Sequence, residues 1–155
     1  MLGNMTMKKI QITHFSDVLC VWAYVSQVRI NELIDNFGEN VDFEYLFFSV
    51  FGNALGKIDK AWENKGGRKA YSQHVQKIVS EFGHLEVHTD VWVKDAPHSS
   101  LPCHLYLCAA QIAEKNGTLE SGSFNQLAWQ MRKSFFSEAR NISNKELMGV
   151  VPSPK

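Results

Sequence analysis

The sequence has little that would tie it to a nucleic acid, a membrane or an oxidising compartment. Its 155 residues carry 16 Lys and Arg against 16 Asp and Glu, so the formal net charge is zero. A neutral chain has no long-range field to steer it onto nucleic acid or an anionic bilayer, and neither is expected as a partner. There are three cysteines, an odd count and too few for a disulfide framework. Free thiols imply a reducing, cytoplasmic setting. No apolar run approaches the roughly 18 residues of a membrane span. The opening MLGNMTMKKIQITHFSDVLC is interrupted by Lys8, Lys9, Gln11, Thr13 and His14, where a secretory signal needs roughly 7–15 unbroken apolar residues. No Walker loop or G-x-G-x-x-G is present. His84 and His88 are four apart, as are His104 and Cys108, but no C-x-x-C or H-E-x-x-H accompanies them, so no metal is expected.

What is there describes an ordinary globular chain. Apolar residues make up 45% and charged residues 21%, and the length suits one domain, 1–155. Residues 10–15 (IQITHF) and 41–48 (VDFEYLFF) alternate as strands, with Val41, Phe43, Tyr45 and Phe47 sharing one face. Between them, 21–37 carries apolar residues at helical spacing in two stripes on nearly opposite sides, and Gly38 closes it. A helix with two apolar sides should be covered on both. Strand, helix and strand make a right-handed βαβ unit with parallel strands.

Beyond it, 68–82 is expected to be helical, as are segments with stripes Leu101-Leu105-Cys108-Ile112 and Phe124-Leu127-Ala128-Met131-Phe135. Cys103 and Cys108, five apart, point in different directions and read as packing residues. Segments 49–67 and 83–98 read as loops with short pieces of structure. Ser123 with Gln126, and Ser143 with Glu146, form capping boxes. The second of these helices meets Gly149, Pro152 and Pro154 after about one turn. Two parallel strands are few for a stable sheet, so the chain reads as cut short and as inclined to pair with itself.

The chemistry concentrates in Asp17-Val18-Leu19-Cys20-Val21-Trp22-Ala23-Tyr24, where the first strand gives way to the first helix. Open α/β sheets place ligands at such strand ends. A cysteine in the first turn of a helix sits beside unpaired N–H groups and the positive end of the dipole, an arrangement that favours a thiolate. Equally, a lone cysteine is often a small buried apolar residue.

The run ITHFSDVLCVWAYV resembles the start of the DsbA-like branch of the thioredoxin superfamily. That branch includes DsbA-type oxidoreductases, kappa-class glutathione transferases and 2-hydroxychromene-2-carboxylate isomerases. Its members open with a strand, an Asp, two apolar residues and then Cys-Pro-Trp-Cys or Ser-Pro-Tyr-Ser. On this chain the resemblance places Cys20 at the catalytic position, Trp22 at the aromatic one and Asp17 at the family's Asp. Val21 replaces the usual Pro and Ala23 the second Cys or Ser. The segments FFSVFG, GGRKAY and PHSSLPCHLYL are similar to the inserted helical region, with Ser99, Ser100 and His104 at polar positions that face the active site.

The resemblance implies an α/β, thioredoxin-like βαβ half over 8–50, a large helical insertion over 51–148, and a closing ββα element that is missing. It also implies thiol–disulfide exchange through Cys20 with a small thiol or disulfide substrate. Since Ala23 supplies no resolving thiol, glutathione is the expected co-substrate. Two alternatives remain: a glutathione-dependent transferase or isomerase in which Cys20 only orients glutathione, and a non-catalytic binding or dimerising module.

Overall fold

A computed structural model describes residues 8–144. The first strand, β1 (Ile10–Ser16), leads through a tight turn into helix α1 (Val21–Phe37), and the chain returns in β2 (Val41–Phe47). The strands are parallel, with Ile10 opposite Val41 and Ser16 opposite Phe47. The βαβ unit is therefore as expected, each strand within a residue of its expected ends. Among the described residues the sheet has these two strands alone.

On the inner face Val41 and Tyr45 are buried and Phe43 and Phe47 half-buried, whereas Asp42, Glu44, Leu46 and Phe48 are exposed. Gly38 does end α1, but in right-handed conformation, and its N–H bonds Ile34 O at 2.8 Å. Lack of a side chain is what suits it there: a Cβ would stand 2.5 Å from Ile34 O.

Four helices follow: α2 (Ala54–Trp62), α3 (Gly67–Ser80), α4 (Leu101–Lys115) and α5 (Ser123–Phe136), with a 3-10 turn Glu63–Lys65 between α2 and α3. Helix α2, nine residues long, lies in a segment expected to be loop with only short pieces of structure. Its start is fixed by Asn53, whose Oδ1 accepts from Gly56 N at 3.2 Å, and Ala54, Leu55 and Ile58 bury one face. The other expected loop stays irregular between α3 and α4, but it carries the core in person. Trp92 is fully buried, in left-handed conformation, against Phe51, Tyr71 and Phe135.

Helix α1 packs against α3, α5 and β2. Its buried residues end at Ile30, and Val28 and Phe37 are exposed. Cover on both sides is thus limited to the first half of the helix. In α4 the expected stripe is the outer one. Leu101, Leu105, Cys108 and Ile112 are exposed, and Cys103, His104, Leu107 and Ala110 form the buried face. The helix has apolar residues nearly all round, so periodicity alone did not identify its inner side.

Helix α5 begins differently from the expected capping box. Gly122, left-handed at φ 89°, is the N-cap, and Ser123 Oγ is buried without a hydrogen-bond partner among the described residues. The free N–H groups of Gly122 and Phe124 go to the carboxylate of Glu114, at 3.1 and 2.7 Å. Ser143 bonds Asn141 Oδ1 through both N and Oγ. The helix expected from its own capping box lies outside the described residues, as do Glu146, Gly149 and the closing prolines.

Candidate functional site

The turn between β1 and α1 is built around Asp17. Its carboxylate is completely buried and accepts three good hydrogen bonds: Leu19 N to Oδ1 at 2.9 Å, Phe51 N to Oδ2 at 2.9 Å and Ser100 Oγ to Oδ2 at 2.8 Å. One side chain thus ties the turn to the strand end after β2 and to the start of α4. Burial raises the carboxyl's pKa, but His104 and the backbone N–H groups of Phe51 and Leu19 outweigh it, leaving Asp17 below the ordinary value of 3.8.

His104 stands over the same turn. Its Nε2 is 3.2 Å from Val18 N and 3.4 Å from Asp17 Oδ1, and its ring stacks on Phe47 with centroids 4.8 Å apart. A single nitrogen therefore faces one donor and one acceptor. The neutral ring accepts from Val18 N–H, and a protonated ring would donate to Asp17 instead.

Cys20 is the N-cap residue of α1, with φ −81° and ψ 121°. Its carbonyl accepts from Tyr24 N and its N–H donates to Asp17 O, both at 3.1 Å. The thiol is half-buried. It opens on a groove of about 700 Å³ walled by Phe15, Trp22, Phe48, Val50 and Phe82, with Arg29 also lining it. Ala23, one turn into the helix, lines the groove as well. The other two thiols differ sharply. Cys103 is buried, donates to Ile142 O at 3.3 Å and is pushed up to about 12 by burial and by the charge of Asp17. Cys108 is exposed on the outer face of α4, not packed as expected, and so turned away from the buried His104.

Of the residues singled out from the sequence, the structure gathers Asp17, Cys20, Ser100 and His104 at one turn and puts Trp22 on the groove. Ser99 stands apart: its Oγ accepts from Leu101 N at 3.1 Å and helps to start α4.

Two residues at the site were not anticipated. Arg132 of α5 is buried to 1% exposure directly beneath the turn. Its Nη2 donates to Ser16 Oγ at 2.8 Å and its Nη1 to Gln27 Oε1. The second is Tyr71 of α3, raised to about 12 by burial and by the nearby charge of Cys20. The signal for Arg132 was available: it lies between Ala128 and Phe136 at spacing four, a charge in the middle of a buried stripe.

The fold is that of the DsbA-like thioredoxin type with a helical insertion. Two solved structures show the likeness. A probable DsbA oxidoreductase from Streptomyces coelicolor superposes with a TM-score of 0.59 at 17% identity, over 90% of this chain and 59% of that one. The cytosolic disulfide reductase DsbM from Pseudomonas aeruginosa gives 0.56 at 16% identity, over 90% of this chain and 60% of that one. The chain therefore spans about three fifths of the length of either. No protein-family profile matches the sequence, and no curated protein matches it significantly. No described helix is long and apolar enough to cross a membrane.

Proposed function

We propose that the chain carries out thiol–disulfide exchange through Cys20, with glutathione as the second thiol, in the cytoplasm. The observation that carries the reading is a half-buried thiol at the N-terminus of α1, opening on an apolar groove in a DsbA-like fold. Free N–H groups of the first helical turn favour an anion at that place.

In the proposed reaction the Cys20 thiolate attacks one sulfur of a disulfide R–S–S–R′. The S–S bond breaks, R′–S⁻ leaves and takes up a proton, and Cys20 is left joined to R by a mixed disulfide. A glutathione thiolate then attacks the sulfur of R or of Cys20 and releases the other. Asp17, Ser100 and His104 hold the turn in place, and Trp22 forms part of the wall against which the substrate lies.

A second reading is favoured by Ala23, which leaves the motif without a resolving thiol. Here the chain is a glutathione-dependent transferase or isomerase, and Cys20 orients glutathione's thiolate.

The experiment is incubation with oxidised glutathione and peptide mass analysis, alongside Cys20→Ser and Ala23→Cys. A glutathione adduct on Cys20, with Cys103 unmodified, is expected. Ala23→Cys places a second thiol one turn along α1 and should raise dithiol-oxidising activity. Glutathione-dependent transfer or isomerisation that survives Cys20→Ser would overturn the exchange reading in favour of the second. An adduct confined to Cys108 would overturn both.

A further inference from the structure

The groove beside Cys20 has a second end that the exchange chemistry leaves unused. Trp22, Val25, Ser26 and Arg29 all line it, and their spacing, i, i+3, i+4 and i+7, puts them on one face of α1. Val25 is buried and Ser26 half-buried, whereas Trp22 and Arg29 are exposed. The face therefore carries an aromatic ring at the thiol end, two smaller side chains in the middle and a guanidinium two turns further on. Cys20 and Arg29 are nine residues apart in sequence, about 13.5 Å along the helix axis.

Arg29 differs in charge from everything else that lines the groove. Phe15, Phe48, Val50 and Phe82 are apolar, and the first three are exposed. Asp17 is buried, with both oxygens bonded to Leu19, Phe51 and Ser100. His14 is held towards its neutral form by burial and by the charge of Arg132. Arg29 makes no ion pair among the described residues. Glu32, the next acidic residue along α1, accepts instead from Asn36 Nδ2 at 3.1 Å. The groove's volume, about 700 Å³, falls within the range of small-ligand sites, roughly 300–1,000 Å³. A ligand that fits has a sulfur at one end, a body that tolerates apolar walls, and a negative charge at the other end.

We infer that the groove takes a small disulfide whose attacked half carries a carboxylate, and that Arg29 holds this carboxylate and so sets which disulfides Cys20 uses. The inference rests on the exchange reading above and adds its substrate class. A planar guanidinium matches a carboxylate with two parallel hydrogen bonds. The span of about 13.5 Å is the extended length of about four residues, and the arginine's own reach shortens it. A thiol of short-peptide length therefore bridges the two ends, and a two-carbon thiol acid does not. In the reaction the Cys20 thiolate bonds to the sulfur of the carboxylate-bearing half. The S–S bond breaks, and the other half leaves as a thiolate and takes up a proton. The carboxylate is unchanged throughout.

The test uses the symmetric disulfide of N-acetyl-Cys-Gly-Gly, as the free acid and as the C-terminal amide. The rate of adduct formation at Cys20 is read by peptide mass, so that Cys103 and Cys108 are scored apart. The readout is the acid-to-amide rate ratio in the parent relative to that in Arg29→Gln, which cancels the probes' intrinsic reactivities. The parent's ratio should be about threefold higher, the size of an exposed ion pair, and Arg29→Lys should keep part of the gain. The excess should shrink as salt is raised, because the guanidinium is exposed. A ratio that is the same in the parent and in Arg29→Gln overturns the inference while leaving Cys20 as nucleophile.

A second pair of probes separates a ligand held at both ends from a general attraction of anions. The disulfides of mercaptoacetic acid and of its amide carry the charge too close to sulfur to reach Arg29 from Cys20. Their rate ratio should not change in Arg29→Gln. A change as large as that seen with the peptide probes assigns the effect to the surface field and overturns the inference. Because Arg29 is exposed, its replacement leaves the core untouched, and a circular-dichroism melt of Arg29→Gln should match the parent's. Absence of a Cys20 adduct with every one of the four disulfides would sink the exchange reading itself.

Discussion

Asp17 is the residue on which the site's geometry depends. Three donors from three separate segments converge on a carboxylate with no solvent exposure. Asp17→Asn keeps the shape but turns an amide NH₂ towards donors, leaving one or two of them unserved. Hydrogen bonds to a charged group contribute about 1.5–3 kcal/mol each, and an unserved buried donor costs about 1–3 kcal/mol. The expected loss is about 3 kcal/mol near neutral pH, measured by urea unfolding.

The pH dependence has a definite sign. The folded pKa of Asp17 lies below its ordinary 3.8, so its contribution is complete above the unfolded value. It fades as pH falls through the folded one. The gap between parent and Asp17→Asn should therefore hold at pH 7 and narrow below about pH 4. A gap that widens on acidification would mean that Asp17 is not ionised in the folded protein. From the sequence Asp17 was legible as important, because it stands three residues before Cys20 at a strand end. What it binds was not legible, since Phe51 and Ser100 lie 34 and 83 residues away. For Arg132 the place in the buried stripe of α5 was legible, but its partners Ser16 and Gln27, more than a hundred residues earlier, were not.

Among the elements, α5 shows how a local rule is overridden by a tertiary contact. Ser123 and Gln126 have the spacing of a capping box, yet the free N–H groups at this helix start are served by Glu114 from the last turns of α4. A carboxylate at a helix N-terminus is favoured both by hydrogen bonding and by the dipole. The two arrangements predict opposite mutational outcomes. Glu114→Ala should lower stability by about 1–2 kcal/mol, the usual range for loss of a cap. Ser123→Ala should cost little, because its hydroxyl is buried without a partner and its removal relieves a desolvated group. Urea melts of the two variants settle the matter; a large loss in Ser123→Ala with none in Glu114→Ala would restore the local box. The strands and α1 were legible because their period and their ends coincide. Helix α2 was not, because nine residues with two glycines nearby carry too little period to stand out from a loop.

At the scale of the whole molecule, the outer face of α4 has consequences of its own. Leu101, Leu105 and Ile112 are 50%, 72% and 60% exposed, and the run from Leu101 to Ala113 contains no Asp, Glu, Lys or Arg. Solubility normally disfavours an apolar helix face of this kind unless something covers it. A second copy of the chain is a suitable cover, since two uncharged faces related by a two-fold axis meet without burying a charge. We therefore propose a homodimer through α4. Sedimentation velocity over rising concentration should show a monomer–dimer equilibrium, and Leu105→Lys with Ile112→Lys should shift it to monomer. These two side chains are not part of the core, so the thermal transition of the monomeric variant should remain cooperative. Cys108 lies on the same face, and mild oxidation should then link two copies through it, while Cys103, buried and hydrogen-bonded to Ile142 O, stays reduced. A parent protein that sediments as a monomer at every concentration would eliminate the α4 dimer, and the apolar face would then need a different partner. The dimer and the chemistry at Cys20 are separable, because the α4 face and the groove beside α1 share no residue. Loss of dimer in the lysine variant should leave the glutathione adduct on Cys20 unchanged.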